Sequence, residues 1–204
     1  WTPEQGTPQG AVISPLLANI YLNPLDHHMA GQGWQMIRYA DDFVILCRSR
    51  EEAERALQTV RDWVTAAGLS LHPAKTRIVH EATEAFEFLG YRFERGRRWP
   101  RRKSLDKFKH TIRHHTRRCN GHSLPDIIRR VNATARGWYG YFKHSGKNTF
   151  PELDGWIRRR LRAILLKRHG ESRWRHTPLD RQRWPNSFLR AQGLFSLAAA
   201  HAAE

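Results

Sequence analysis

Four residues, Tyr39-Ala40-Asp41-Asp42, lie between two apolar runs too short to be ordinary helices, Gln35-Met36-Ile37-Arg38 and Phe43-Val44-Ile45-Leu46-Cys47. Runs of that length and composition read as strands. With so little chain between them they pair only as an antiparallel hairpin, which puts two adjacent carboxylates at one end of a sheet. Carboxylate oxygens are hard ligands of the kind Mg²⁺ takes, usually one or two from the protein together with substrate phosphates. Two-metal phosphoryl-transfer sites hold their ions about 4 Å apart, to activate the attacking hydroxyl and stabilise the leaving oxygen. Asp is equally a common turn residue, and on these four positions alone a solvated turn is the simpler reading. The rest of the chain decides between the two.

Upstream, Gly6-Thr7-Pro8-Gln9-Gly10 punctuates the chain. Ser14-Pro15 then reads as an N-cap and first-turn pair. The helix it opens has Leu16, Leu17, Ile20, Tyr21 and Leu25 as its apolar face. After Gly31-Gln32-Gly33 and the hairpin, the spacing predicts a helix from Glu51 to about Ala67, its face made by Ala53, Ala56, Leu57, Val60, Val64 and Ala67 and its end by Gly68. Leu69-Ser70-Leu71 is predicted to start a strand through Pro73-Ala74-Lys75-Thr76 to Ile78-Val79. Residues 86–93 read as a further short hairpin or strand pair. This order suits an α+β unit with helices on one face of an antiparallel sheet.

Charge then divides the chain. Residues 1–94 hold 8 basic and 12 acidic side chains, a net −4, and residues 95–204 hold 27 and 7, a net +20. Such asymmetry points to a polyanion. Eight Trp, nine Phe and five Tyr exclude a disordered basic tail. No apolar run approaches a membrane span, and no signal peptide is evident, so the expectation is a cytoplasmic protein without a membrane partner. Cys47 and Cys119 form no CxxC pair, which argues against structural zinc. Residues 95–122 are expected to be a basic linker and the start of a helical region, and 123–204 its continuation. Three helices are predicted there: one capped by Ser104, with Leu105, Phe108 and Ile112 as its apolar face; one capped by Ser123, running from Leu124 to Phe142; and one beginning near Asp154, with Ile157, Leu161, Ile164 and Leu165 buried. Phosphate contacts are the natural use of the basic residues that fill the other faces. The apolar stripe of the third helix leaves Arg158, Arg159, Arg160 and Arg162 to be replaceable without unfolding.

The ordered set Gly6-Thr7-Pro8-Gln9-Gly10, Ser14-Pro15-Leu16-Leu17-Ala18-Asn19, Tyr39-Ala40-Asp41-Asp42, Lys75-Thr76 and Phe88-Leu89-Gly90-Tyr91 resembles the palm motifs of reverse transcriptases, most closely those encoded by group II introns. Arg136-Gly137-Trp138-Tyr139-Gly140-Tyr141-Phe142 and Trp156-Ile157-Arg158-Arg159-Arg160-Leu161-Arg162 are similar to the maturase-specific segment that follows the thumb in that family. Any one motif is weak evidence; their order is not. The resemblance implies an α+β fold: a partial reverse-transcriptase palm over residues 1–94, followed by an all-α thumb and maturase region.

It also implies roles. Asp41 and Asp42 would be catalytic and hold Mg²⁺, two ions in the complete enzyme, with Asp41 the more direct ligand. Lys75 would lie near the triphosphate. Thr7, Pro8, Gln9, Gly10 and Tyr39 would border the nucleotide and template, and Leu89 and Gly90 the primer. Arg101, Arg102, Lys103, Arg113, Arg117, Arg136, Lys143, Arg158, Arg159, Arg160 and Arg162 would contact RNA, with some of Tyr139, His144 and Lys147 alongside them. Group II intron RNA, an RNA template, a DNA primer and deoxynucleoside triphosphates would be the partners. No earlier aspartate in a strand context precedes Asp41, and Asp26 falls in a helix. The expectation is therefore a fragment without fingers and first palm motif, with little polymerase activity of its own. A maturase without polymerase chemistry, or another bacterial reverse transcriptase, is the alternative.

Overall fold

The hairpin is present. In the computed structural model, which describes residues 12–119, 121–170 and 178–204, β1 (Gln35–Tyr39) pairs antiparallel with β2 (Asp42–Leu46). Gln35 lies opposite Leu46 and Tyr39 opposite Asp42, leaving Ala40 and Asp41 as a two-residue turn. Side chains alternate faces along a strand. Met36, Arg38, Phe43 and Ile45 therefore share one face, and Ile37, Tyr39, Asp42 and Val44 the other. Met36, Phe43 and Ile45 pack on a core of Leu25, Met29, Val60 and Val64. The other face is largely uncovered, with Ile37, Tyr39 and Leu46 exposed.

That core comes from two helices, α1 (Ser14–Gly31) and α2 (Arg50–Ala66). The start of α2 is fixed by the Ser49 hydroxyl, which accepts the Glu52 amide at 3.1 Å. Its end is a Schellman turn. Gly68 takes φ +69°, its amide reaches the Thr65 carbonyl at 3.0 Å, and the Leu69 amide reaches Val64 at 2.9 Å. In α1 the helix already includes Ser14, with Ile13 at the N-cap position and no side-chain cap. Its predicted apolar stripe is only partly used: Leu25 is buried, whereas Leu16, Leu17, Ile20 and Tyr21 are exposed. Leu25 and Met29, on the last turns, meet the hairpin and α2. Residues 69–79 are not a strand. The Lys75 and Thr76 amides both bond the His72 carbonyl, making a turn through Pro73-Ala74-Lys75, and a proline there removes a ladder donor. β3 (Phe86–Phe88) follows. The described chain divides into two compact units, residues Trp1–Leu89 and Gly90–Glu204.

The second unit opens on a hairpin, where a basic linker was expected. β4 (Tyr91–Glu94) pairs with β5 (Arg97–Pro100) across Arg95-Gly96, both at positive φ. Two left-handed turn residues give the backbone twist that a tight hairpin needs. Then come α3 (Arg102–His115), α4 (Leu124–Phe142) and α5 (Thr149–Arg168). Short helices α6 (Pro178–Arg183), α7 (Asn186–Ala191) and α8 (Leu197–Ala202) complete it. Ser123 caps α4 as predicted, its hydroxyl taking the Asp126 amide at 3.3 Å. Ser104 is not a cap; it lies inside α3 and donates to the Gly90 carbonyl at 3.2 Å. α5 starts five residues before the predicted Asp154.

One core joins these helices: Phe108 and Ile112 of α3, Ile127, Val131 and Ala135 of α4, and Phe150, Ile157, Leu161 and Ile164 of α5, with Leu189 and Leu197. Asp154 and Asn132 are among the polar side chains buried in this unit. Asp154, 3% exposed, accepts the Ser196 hydroxyl at 2.6 Å and the Leu197 and Ala198 amides at 3.0 and 3.1 Å, so it holds the start of α8. The Asn132 amide nitrogen donates to the Gly193 carbonyl at 2.7 Å, and its oxygen takes the Phe195 amide at 2.8 Å. Both carry the hydrogen bonds that burial demands. Among the described residues no helix is long and apolar enough to cross a membrane.

Candidate functional site

Asp41 occupies the turn between β1 and β2, and Asp42 opens β2 directly opposite Tyr39. All three are exposed, Tyr39 at 68%. The uncovered face of the hairpin thus carries an aromatic ring and a carboxylate side by side, with a second carboxylate at the tip. Neither acid forms an ion pair among the described residues. Two unpaired carboxylates fit Mg²⁺ in its usual manner, in which substrate phosphates and waters complete the shell. They do not make a preformed cage: no group of three or more His, Cys, Asp or Glu able to hold a metal occurs among the described residues.

The turn needs support, because Ala40 adopts φ +53°, a conformation a residue with a Cβ takes at a cost. Arg38 supplies it. Its side chain is 9% exposed, and its Nη1 donates to the Ala40 carbonyl at 2.8 Å and to the Asn19 side chain at 3.1 Å. Its Nε and Nη2 form a fork to both oxygens of Asp26, the Nε bond measuring 2.7 Å. One guanidinium ties α1 to the carbonyl of the turn that presents Asp41. The hydrogen bonds and charge of Asp26 raise the Arg38 pKa, against the pull of desolvation. These two residues escaped the sequence reading, although a signal was there. In the alternation Met36, Arg38 the arginine falls on the buried face, and a buried guanidinium requires an acid.

Lys75 is exposed in its own turn and bonds neither acid. Leu89 and Gly90 both adopt positive φ, +48° and +79°. Gly90 has a structural reason to be glycine: a Cβ there would meet the Ser104 hydroxyl at 3.3 Å and the Phe142 ring at 3.5 Å. Thr7, Pro8, Gln9 and Gly10 lie outside the described residues.

Among the predicted RNA contacts, Arg102, Lys103, Arg113, Arg117, Arg136 and Arg159 are exposed. Arg101 is half-buried. Lys143 pairs with Glu204 at 3.2 Å, and Arg158 approaches Asp154 at 4.0 Å. Arg102 pairs only loosely with Asp106, at 3.8 Å between highly exposed side chains, an interaction worth little.

Arg162 does not belong with them. It is 4% exposed, and its Nε and Nη2 donate to the Trp184 carbonyl and the Asn186 side chain, each at 2.8 Å. Burial depresses its pKa, from a value so high that the guanidinium remains charged. Arg160 is half-spent: it donates to the Thr116 hydroxyl at 2.5 Å and the Thr116 carbonyl at 3.1 Å, and lies over the Trp156 ring, with Arg113 also over that ring. The expectation that Arg158, Arg159, Arg160 and Arg162 are all dispensable for folding is therefore corrected. Tyr139, expected among the RNA-facing residues, is buried edge-on against Phe150, whereas Tyr141 is exposed.

Comparison with known proteins bears on both units. Residues 2–93 match the family model for reverse transcriptase (RNA-dependent DNA polymerase), and residues 105–184 match the model for the group II intron maturase-specific domain. The chain belongs to the group II intron reverse transcriptase/maturase family. Protein YkfC of Escherichia coli is 30% identical over 46% of this chain and 33% of its own length. A retrovirus-related Pol polyprotein from type-1 retrotransposable element R1 2 of Nasonia vitripennis is 34% identical over 35% of this chain and 19% of its own. An uncharacterized 91 kDa protein in cob intron of Schizosaccharomyces pombe is 23% identical over 42% and 18%. The chain thus spans a third or less of the length of these relatives. Reverse transcriptases use divalent metals as a family.

Replacing Arg38 by Ala is expected to destabilise the first unit by about 2 kcal/mol, the scale for lost hydrogen bonds to charged groups. Asp26→Ala should cost a similar amount, and the double variant clearly less than the sum. Urea unfolding of the three variants measures this; additive costs would mean that the fork does not hold the turn.

Proposed function

We propose that the chain is the catalytic-hairpin and maturase portion of an RNA-directed DNA polymerase encoded by a group II intron. The protein binds the intron RNA to assist splicing and copies RNA into DNA for intron mobility. The observation that carries this reading is the pair of unpaired acids, Asp41 and Asp42, on an uncovered hairpin next to Tyr39, in a chain whose second unit matches the maturase-specific domain. A pure RNA binder has no physical need of exposed adjacent carboxylates, which repel phosphates unless a cation intervenes.

Asp41 and Asp42 would hold Mg²⁺, which supplies charge neutralisation at the reacting phosphates. Tyr39 would flank the bound nucleotide, with Thr7, Pro8, Gln9 and Gly10 bordering nucleotide and template. Lys75 would offset charge on the leaving pyrophosphate. Leu89 and Gly90 would lie along the primer. Arg38 and Asp26 touch no reacting group; they keep the turn in place. The exposed cations Arg102, Lys103, Arg113, Arg117, Arg136 and Arg159 would contact the RNA backbone, with Arg101, Lys143, Arg158 and Arg160 contributing what their internal partners leave free.

In a protein that carries the rest of the palm, Asp41→Asn is expected to abolish Mg²⁺-dependent cDNA synthesis while RNA binding persists. Normal extension by that variant would remove Asp41 from catalysis. Intact splicing assistance with no extension by the unmutated protein would favour the maturase-only alternative.

The RNA surface has its own test. Changing Arg102, Lys103, Arg113 and Arg117 together to Gln should weaken binding of a folded intron RNA. The log–log salt dependence should flatten by about 0.9 for every phosphate left without its cation. An unchanged slope in filter binding, with circular dichroism showing a folded variant, would place the RNA surface elsewhere.

A further inference from the structure

Gly90, proposed above to lie along the primer, opens a hairpin that is fastened to the end of helix α4. The fastening starts at Gly90 itself. Its carbonyl accepts the Arg101 amide at 2.9 Å and the Ser104 hydroxyl at 3.2 Å. A Cβ on it would stand 3.5 Å from the Phe142 ring. The Phe142 ring lies 4.8 Å from that of Trp138, and Trp138 lies 4.7 Å from Phe108, centroid to centroid. A row of aromatic rings thus runs from Gly90 into the buried core of the second unit.

Both strands of the hairpin are bonded to the same place. On β4, the Tyr91 hydroxyl donates to the Tyr141 carbonyl at 2.5 Å, and its ring packs on those of Tyr141 and Phe142, with centroids 6.0 and 5.0 Å apart. On β5, the Arg98 carbonyl accepts the Gly146 amide and the Arg98 Nε donates to the His144 carbonyl, each at 2.9 Å. The chain turns sharply after α4, the Ser145 amide bonding the Phe142 carbonyl at 3.0 Å, and Ser145 is buried. Gly146 then lies against Trp99. A Cβ there would stand 2.9 Å from the indole Nε1 and 3.4 Å from Cδ1, so no other residue fits unless the indole moves.

The carbonyl of Tyr141 is one of those that the end of a helix leaves without an intrahelical donor. Such carbonyls are ordinarily satisfied by water or by a glycine turn close at hand. Here the donors are side chains of Tyr91 and Arg98, the first 50 residues from its acceptor and the second 46. Capping alone does not require partners so remote. What the arrangement adds is a fixed offset between the backbone at Gly90 and the end of α4.

We propose that Tyr91 and Gly146 are positioning residues for primer extension: they lock the β4–β5 hairpin to α4, and the place at which Gly90 meets the primer is thereby set by the maturase helices. Neither residue touches a reacting group; both act through Gly90. The inference rests on the polymerase function proposed above and adds to it which contacts hold the primer end in register. Reacting atoms displaced by about 1 Å can cost on the order of 100-fold in rate, so a clamp of this kind is felt in the chemical step and not in the affinity for the primer.

The test uses a protein that carries the rest of the palm, a DNA primer on an RNA template, and single-nucleotide addition followed in one turnover. Gly146→Ala should slow addition about tenfold at saturating nucleotide, with primer–template affinity kept within about twofold. Tyr91→Phe, which removes one hydroxyl and keeps the ring, should slow it about threefold. Adding Trp99→Phe to Gly146→Ala takes away the Nε1 that the new methyl meets, and should restore most of the rate. A merely structural role would lower the urea midpoint and leave the rate per active site unchanged. Normal addition by a folded Gly146→Ala variant overturns the positioning role, as does a loss that Trp99→Phe fails to relieve. Should Gly146→Ala not fold, normal addition by Tyr91→Phe overturns it. An unmutated protein that extends no primer would instead sink the polymerase function itself, and this inference with it.

Discussion

Helix α5 is surrounded. It packs on α3 and α4 through one stripe and also meets the short helices that follow it, so Phe150, Leu153, Ile157, Leu161, Ile164, Leu165 and Leu166 are all buried. An α-helix turns 100° per residue, and a basic run in such a helix cannot keep every charge in water. Arg159 reaches solvent, Arg160 reaches the end of α3, and Arg162 is enclosed. A buried guanidinium survives only with its donors satisfied, and here the Trp184 carbonyl and Asn186 do so. Asp154 plays the reciprocal part, its carboxylate accepting backbone amides at the N-terminus of α8, where the helix dipole favours an anion. The placement of α6, α7 and α8 depends on these two polar anchors, and so does the set of cations left facing solvent.

The first unit repeats the device on a smaller scale. Its hairpin has one face on an apolar core and one face uncovered, and Arg38 crosses the buried side to reach Asp26, Asn19 and the Ala40 carbonyl. The acids that would meet a metal are held by backbone geometry, not by partners of their own. That arrangement leaves their oxygens available, as a site completed by substrate phosphates requires. In both units an internal arginine fixes backbone so that other charged groups can face outward.

Much of this is legible in the sequence. The hairpin, the cap at Ser123, the Gly68 stop and the long apolar period of α4 follow from local chemistry, which acts within a few residues. Where the reading fails, the deciding partner is distant in sequence. Leu16, Leu17 and Ile20 form a proper stripe, but a stripe does not say whether anything covers it. Arg162 looks like its neighbours until Trp184 and Asn186 are seen to enclose it. Residues 95–100 read by composition as a linker, because the arginines of a short edge hairpin hide its strand pattern. The candidate catalytic acids are found through their turn, and the arginine that braces them is not, since its partner lies twelve residues upstream on a helix.

Among the α5 arginines, Arg162 builds the fold while Arg159 faces solvent as a proposed RNA contact, and a crossed measurement on two single variants tests that division. Arg159→Gln should leave urea stability within about 0.5 kcal/mol and flatten the salt dependence of RNA binding by about 0.9. Arg162→Gln should lower stability by about 2 kcal/mol through the stranded Trp184 carbonyl and the missing charged hydrogen bonds, while the folded variant keeps the wild-type salt slope. If instead Arg162→Gln flattens the slope without loss of stability, the buried arginine is an RNA contact and the division is wrong.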